Sequence, residues 1–357
     1  MSPRREVAVV FGGRSPEHSI SCLTAAGVTE VIDSDQYAVT PIGVTEQGQW
    51  VTDTSVAAMT APGADGLPRV DPQPSADVTP PGRPPSRLVT ADVVFPLLHG
   101  AYGEDGTLQG LLEVLDVRYV GSGVLASAAA MDKDVMKTLL AASGLPVCRW
   151  VRTSTHDWSA DPAGVAARVD ALGWPVFVKP ARAGSSFGIT KVSGPDQLAP
   201  ALEYAFGFDP KVIVEEAVAG REIECGVVSD AGAAPPEVSV VGEVVVGGDH
   251  EYYDFAVKYT DADALRLDIP AELDAGTSDR IRAAAASAFD ALGCEGLARV
   301  DFFLTESGDI VLNEVNTMPG FTPSSMFPRA WAATGVPYPS LVDRLLRSAL
   351  DRPLGLR

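Results

Sequence analysis

The stretch from Arg299 to Asn316 limits the possible folds more than any other part of the chain. Two runs with strand-like composition, Arg299 to Leu304 and Ile310 to Asn316, flank a Ser307-Gly308 turn, and that order reads as an antiparallel hairpin. A turn symmetric about Ser307 and Gly308 sets Asp301 opposite Glu314 and Arg299 opposite Asn316. Residues two apart on a strand share a face, so these side chains project from one side of the ribbon. Carboxylates directly opposite each other are destabilising unless a cation sits between them. With an amide oxygen alongside, the natural occupant is a hard divalent ion such as Mg2+, which prefers a few oxygen ligands plus substrate phosphates. An exposed acidic hairpin is the plainer reading. The Asn and Arg on the same face favour the cation site.

The rest of the chain calls for a different kind of sheet. Val7 to Phe11 is a short apolar run ending in Gly12-Gly13, the pattern of a buried parallel strand meeting a ligand loop. Ser19 to Ile32 has helical spacing, with Ile20, Leu23, Val28 and Val31 on one face. Tyr37 to Val44 is a second strand, followed by a polar, hairpin-like stretch around Gln47-Gly48. Residues 60–86 are rich in Pro, Gly, Asp and Ser, which predicts a surface insertion or a poorly ordered loop. Ala91 to Leu98 resumes the strand pattern and runs into His99-Gly100, with a helix expected over Thr107 to Leu115. This alternation predicts an N-terminal open parallel α/β domain whose strand ends carry ligands.

Helices are expected over Ala126 to Ser143 and Pro162 to Leu172, then a strand over Val176 to Pro180, a Gly184 to Gly188 loop and a strand over Ile189 to Val192. Strand, glycine-rich loop, strand is not the order of a P-loop, which continues into a helix. Lys179 at the strand end offers a point charge for a phosphate, and the glycines let backbone N–H groups close over it. Further strands over Val212 to Glu215, Glu222 to Val228 and Val238 to Val246, with helices over Ser278 to Leu292 and Pro339 to Asp351, predict an α+β region. With 357 residues, the chain suggests two or three domains.

A net charge of −20 argues against a nucleic-acid partner or an anionic membrane surface. No run of 18 apolar residues occurs, and the apolar run near the start is too short for a signal-peptide core. Cys22, Cys148, Cys225 and Cys294 form no CxxC pair and no metal-ligand spacing. They read as reduced, mostly buried thiols, and the expected location is the cytoplasm.

An ordered set of motifs adds a resemblance covering nearly the whole chain. It comprises Gly12 to His18, His99-Gly100 with Gly103 to Gly110, Met131-Asp132-Lys133, Lys179 with Gly184-Ser185-Ser186, Lys258-Tyr259, Arg299-Val300-Asp301, and Asn313 to Thr317 leading to Pro319-Gly320. This set resembles the ATP-grasp ligases, and among them the D-alanine–D-alanine ligase family. The resemblance implies an α/β and α+β chain of three-domain ATP-grasp architecture. Residues 1–124 would bind substrate, 125–217 would form the central subdomain, and 218–357 would form the C-terminal subdomain with metal site and lid.

The activity implied is ATP-dependent joining of two D-alanines through a D-alanyl phosphate, for peptidoglycan synthesis. Lys133 and Lys179 match residues that hold the ATP phosphates, covered by the loop that carries Ser185 and Ser186. Glu215, Glu216 and Val218 match the segment passing the adenine, Glu222 the carboxylate on the ribose, and Lys258 a further phosphate contact. Asp301, Glu314 and Asn316 match the ligands of two Mg2+ ions, with Mn2+ as an alternative. Glu17 matches the acid that binds the first D-alanine's ammonium, with His99 nearby, and Ser185 and Tyr259 complete a closure with Glu17. Arg299 and the Gly320 N–H match oxyanion donors, and Ser325 and Met326 meet the second D-alanine's carboxylate. A homodimer is a family expectation.

Other readings stand beside these. The second substrate could be D-serine or D-lactate, or the chain could be a nucleotide-binding relative without catalysis. Glu17-His18 could cap the helix that follows, His99 could be a structural hydrogen-bonder, and Glu104-Asp105 could be turn chemistry. The stretch from His250 to Asp263 reads as a mobile lid or an ordinary surface loop.

Overall fold

The structure is a computed structural model that describes residues 4–52, 55, 57, 61–63, 66–72, 76–231, 235–247 and 265–355. Lys258, Tyr259 and the expected lid from His250 to Asp263 lie outside the described residues.

The N-terminal sheet has the order β4-β3-β2-β1-β5. Its strands are β1 (Arg5–Gly12), β2 (Tyr37–Val44), β3 (Trp50–Thr52), β4 (Asp77–Thr79) and β5 (Val93–Pro96). β1 pairs parallel with both β2 and β5, which is the parallel core that the apolar runs predict. β3 and β4 extend it antiparallel, so the sheet is mixed at one edge. The proline-rich insertion is therefore not all loop. It supplies β4, and the Val70 N–H donates to His18 Nε2 at 2.9 Å.

The helix His18–Val31 corrects the predicted apolar face. Its buried apolar residues are Cys22, Ala25 and Val28, whereas Ile20 and Val31 are half-buried and Leu23 is exposed. Ile20 and Leu23 instead line the cleft described below. A helix that covers a sheet and also walls a cleft has two apolar sides, and periodicity alone cannot tell them apart.

The expected helix over Ala126 to Ser143 is two helices, Val124–Met131 and Lys133–Ala142. They break at Asp132, which is extended and whose carboxylate accepts the N–H groups of Asp134 and Val135, an N-cap in place of a continuing turn. The break starts the second helix at Lys133.

A four-stranded antiparallel sheet, ordered β6-β9-β7-β8, follows. It contains β6 (Trp150–Ser154), β7 (Val176–Pro180), β8 (Thr190–Val192) and β9 (Lys211–Glu216). The last sheet is ordered β13-β12-β10-β14-β15, with β11 also paired to β10. Its strands are β10 (Arg221–Val228), β11 (Glu237–Val238), β12 (Gly242–Val246), β13 (Leu265–Asp268), β14 (Leu297–Leu304) and β15 (Ile310–Asn316). The strand predicted over Val238 to Val246 is thus interrupted between β11 and β12.

The cores are shared along the chain. Phe327, Trp331, Leu341 and Leu345 pack with Val7, Val9 and Phe95 of the first sheet. Met136 and Leu140 join the core of the last sheet with Val300, Phe302, Leu312 and Val315. This interlocking holds three sheets around a common cleft. All four cysteines are buried and unpaired, and among the described residues no helix is long and apolar enough to cross a membrane.

Candidate active site

The hairpin forms, but not by a symmetric turn. It closes with Leu304 opposite Ile310, and Thr305 N–H donates to Asp309 O at 3.0 Å. That register alone would carry Asp301 opposite Asn313. A bulge between Asp301 and Phe302 in the pairing leaves Asn313 as an extra residue and restores Asp301 opposite Glu314, and Arg299 opposite Asn316. The core residues of β15 are Leu312 and Val315, spaced by three where an unbroken strand would space them by two. The bulge thus changes which alternate residues face the core, so Glu314 and Asn316 share the side that carries Asp301 and Arg299. The expected facing pairs are present, and a different local geometry produces them.

β10 adds a carboxylate that the sequence reading missed. Glu224 pairs with Asp301 across β10 and β14, so Glu224, Asp301 and Glu314 stand in a row across adjacent strands. Arg299 lies among them: Nε and Nη2 each reach Asp301 at 2.7 Å, and Nε lies 3.1 Å from Glu224 Oε2. Burial opposes the Arg299 charge, but Asp301, Glu224 and Glu314 outweigh it and drive its pKa well above the ordinary value. Asn316 Nδ2 donates to Asp301 Oδ2 at 3.0 Å. The signal for Glu224 was available in strand alternation, because it lies two residues from Glu222 on β10.

Facing this row, Lys133 reaches both loop and hairpin. Its Nζ donates to Ala183 O at 2.8 Å and lies 4.0 Å from Glu314 Oε2. Burial pulls its pKa down, offset in part by Glu314. Lys179 Nζ donates to Glu215 Oε2 at 2.6 Å, and Lys137 Nζ stands 3.1 Å from Glu215 Oε1. Burial alone would raise the Glu215 pKa, but Lys137 and Lys179 overcome it and hold it down at about 2. The Glu216 carboxylate accepts from the Arg149 backbone N–H and guanidinium, and the N–H groups of Glu216 and Ala217 donate to Arg149 O and Pro175 O, so this segment is anchored where Glu216 and Val218 line the cleft.

Glu17 sits at the N-cap of its helix yet makes no side-chain capping bond. Its carboxylate instead accepts from the Ser185 hydroxyl. Gly184 passes so close that a Cβ there would lie 2.8 Å from Glu17 Oε2. His18, by contrast, is structural: it bonds Gly13 O at 2.7 Å through Nδ1 and accepts from Val70 N–H through Nε2.

His99 is buried against the cleft, with Nδ1 3.3 Å from Glu104 Oε1 and 3.1 Å from Met318 O. Burial disfavours the imidazolium, but Glu104 and Glu17 outweigh it and raise the pKa. Asp105 serves the turn by accepting from the N–H groups of Tyr102 and Thr107, whereas Glu104 reaches His99 and also bonds the Gly100 backbone. Ser325 lies at the start of the helix Met326–Ala333, whose N-terminal end meets the cleft.

Every candidate residue within the described region lines one cleft of about 980 Å³, walled by all three sheets' loops and strand ends. Among the described residues, no group of three His, Cys, Asp or Glu side chains forms a ready metal cage. The donors at the hairpin are two carboxylates and an amide, few enough to suit Mg2+, which completes its shell with phosphate and water.

Comparison with known proteins matches residues 6–122 to the family described as D-ala D-ala ligase N-terminus and residues 139–347 to D-ala D-ala ligase C-terminus. A D-alanine–D-alanine ligase of Kineococcus radiotolerans is 55% identical, covering 99% of each chain. One from an Arthrobacter species is 50% identical, covering 98% of this chain and 95% of that one. Among solved structures, the VanG D-Ala:D-Ser ligase of Enterococcus faecalis superposes with a TM-score of 0.80 at 35% identity, over 96% of this chain and 99% of that one. The D-alanine–D-alanine ligase of Coxiella burnetii gives 0.79 at 31% identity, over 98% and 94%.

Proposed function

The chain belongs to the D-alanine–D-alanine ligase family, and from that premise we propose that its cleft joins two D-alanines at the expense of ATP for cell-wall precursor synthesis. The observation that carries this reading is one cleft with three chemically distinct parts. Glu17 and Ser185 offer a site for an ammonium, Lys133, Lys179 and Glu215 a site for a nucleotide, and the Arg299–Asn316 row a site for transferring charge.

A carboxylate does not accept an amine unaided, because oxide is too poor a leaving group. Transfer of the γ-phosphoryl of ATP to the first D-alanine's carboxylate releases ADP and makes an acyl phosphate. The second D-alanine's amine, once it has lost a proton, attacks the acyl carbon, and phosphate departs. Such transfer depends on positioning and charge neutralisation more than on covalent help. Two Mg2+ ions held by Asp301, Glu314 and Asn316 would supply that neutralisation.

The chain's own groups do the remainder. Glu17 holds the first ammonium, and Lys133 sits where a phosphate can replace the Ala183 carbonyl as its partner. Arg299 and the Gly320 N–H serve the oxyanion, and the positive end of the helix at Met326 suits the second carboxylate. Lys258 and Tyr259 extend this set on the resemblance of their motif alone. Buried free thiols support a reducing compartment, so we assign the protein to the cytoplasm; a homodimer is proposed on the family resemblance alone.

The test is ADP release as a function of amino acid, with product analysis. Release that requires D-alanine and is not supported by L-alanine is expected, with D-alanyl-D-alanine as product. D-serine or D-lactate outcompeting D-alanine as acceptor would move the chain to the specificity named for the VanG relative or to an ester-forming one.

A further inference from the structure

One buried cation has no part in the chemistry above. Lys137 is fully buried and does not line the cleft, but three of its neighbours do. Its Nζ lies 3.1 Å from Glu215 Oε1, donates to Cys148 Sγ at 3.3 Å and to the Asn313 carbonyl at 3.4 Å. Asn313 is the extra residue of the β15 bulge. Lys137 also stands four residues after Lys133, on the same face of the helix Lys133–Ala142.

We propose that Lys137 is a positioning residue for nucleotide and metal binding, holding Glu215 from behind the cleft and pinning the Asn313 bulge. The inference rests on the nucleotide reading of the cleft. Its physical ground is a division of labour between two cations. Glu215 already has Lys179, but Lys179 faces the cleft, where a bound ligand competes for its charge. A buried carboxylate left with no cation is strongly destabilised. Lys137 is dry and cannot be drawn away, so it keeps Glu215 charged while Lys179 turns to the ligand. Its second contact ties that arrangement to the hairpin: the bulge that aims Glu314 and Asn316 has its extra carbonyl held by the same ammonium.

The test is calorimetric titration of ADP into wild type and Lys137→Met, with and without Mg2+, beside thermal melting. Lys137→Met keeps chain length and removes the charge. At least tenfold weaker ADP binding is expected without metal, and a several-fold higher Mg2+ concentration for half-maximal tightening of ADP. Glu215→Gln and the double variant separate the two contacts. Without a carboxylate to hold, adding Lys137→Met to Glu215→Gln should cost less than threefold in metal-free ADP affinity, while the raised Mg2+ requirement persists. If the single variant does not fold, comparison of the double variant with Glu215→Gln carries the test. ADP affinity within twofold of wild type in a folded Lys137→Met, or an unchanged Mg2+ requirement in the double variant, overturns the proposal. A wild type that binds no ADP would instead overturn the nucleotide reading.

Discussion

The guanidinium of Arg299 meets the carboxylate of Asp301 edge to edge, with Nε and Nη2 each 2.7 Å from a different oxygen. Two parallel charge-assisted bonds fix orientation as well as distance, and only an arginine can make them. The residue expected to donate to the oxyanion is therefore oriented by a residue expected to hold metal. Arg299→Lys keeps a positive charge but loses the fork. Turnover should fall by about a hundredfold, the scale of losing one oxyanion donor. Steady-state kinetics beside a melting curve will decide; near-normal kcat would remove Arg299 from the reacting centre.

Glu314→Gln retains the shape of the side chain and removes one anionic oxygen from the row of Glu224, Asp301 and Glu314. We expect turnover to drop at least about tenfold, with a higher Mg2+ requirement. A Mg2+ titration of activity that superposes on wild type would leave the hairpin as ordinary protein surface.

Gly184→Ala tests the ammonium end. A methyl group there would sit 2.8 Å from Glu17 Oε2, so the carboxylate must move. The KM of the first D-alanine should rise several-fold while ADP affinity stays near wild type. Equal effects on both ligands would show that the loop was disturbed as a whole.

Glu215 makes a prediction in acid. Its folded pKa, about 2, lies below the ordinary 4.5, so its ionisation stabilises the fold above pH 4.5. That contribution fades as pH falls from 4.5 toward 2, where the folded state must also take up the proton. The stability gap between wild type and Glu215→Gln, read from urea midpoints, should be constant near neutrality and narrow through that window. A gap that widens in acid would reverse the assignment.

Much of this protein was legible in its residues because much of it is local. The parallel strand ending at Gly12, the one that stops at Pro96 just short of His99-Gly100, the span of Tyr37–Val44, and the hairpin flanking Ser307-Gly308 follow from periodicity and turn chemistry over a few neighbouring residues. Motif order carried the family and the candidate residues, since each motif is a short run.

Tertiary structure decided what depends on partners far along the chain. Lys137 faces Glu215, Glu224 faces Arg299, and Glu104 faces His99 in a cleft also walled by Met318; a buried ion's role is set by its partners, which helical or strand spacing does not name. Ile20 and Leu23 turned from expected core to cleft wall because residues far along the chain, among them Pro319 to Gly320 and Thr322 to Met326, complete the cleft that they line. The hairpin register, too, needed the fold: packing of Leu312 and Val315 into one core requires the bulge at Asn313, and that bulge aims Glu314. Alternation along a strand determines which residues share a face only while the ladder is unbroken, and whether it breaks is settled by what the strand packs against.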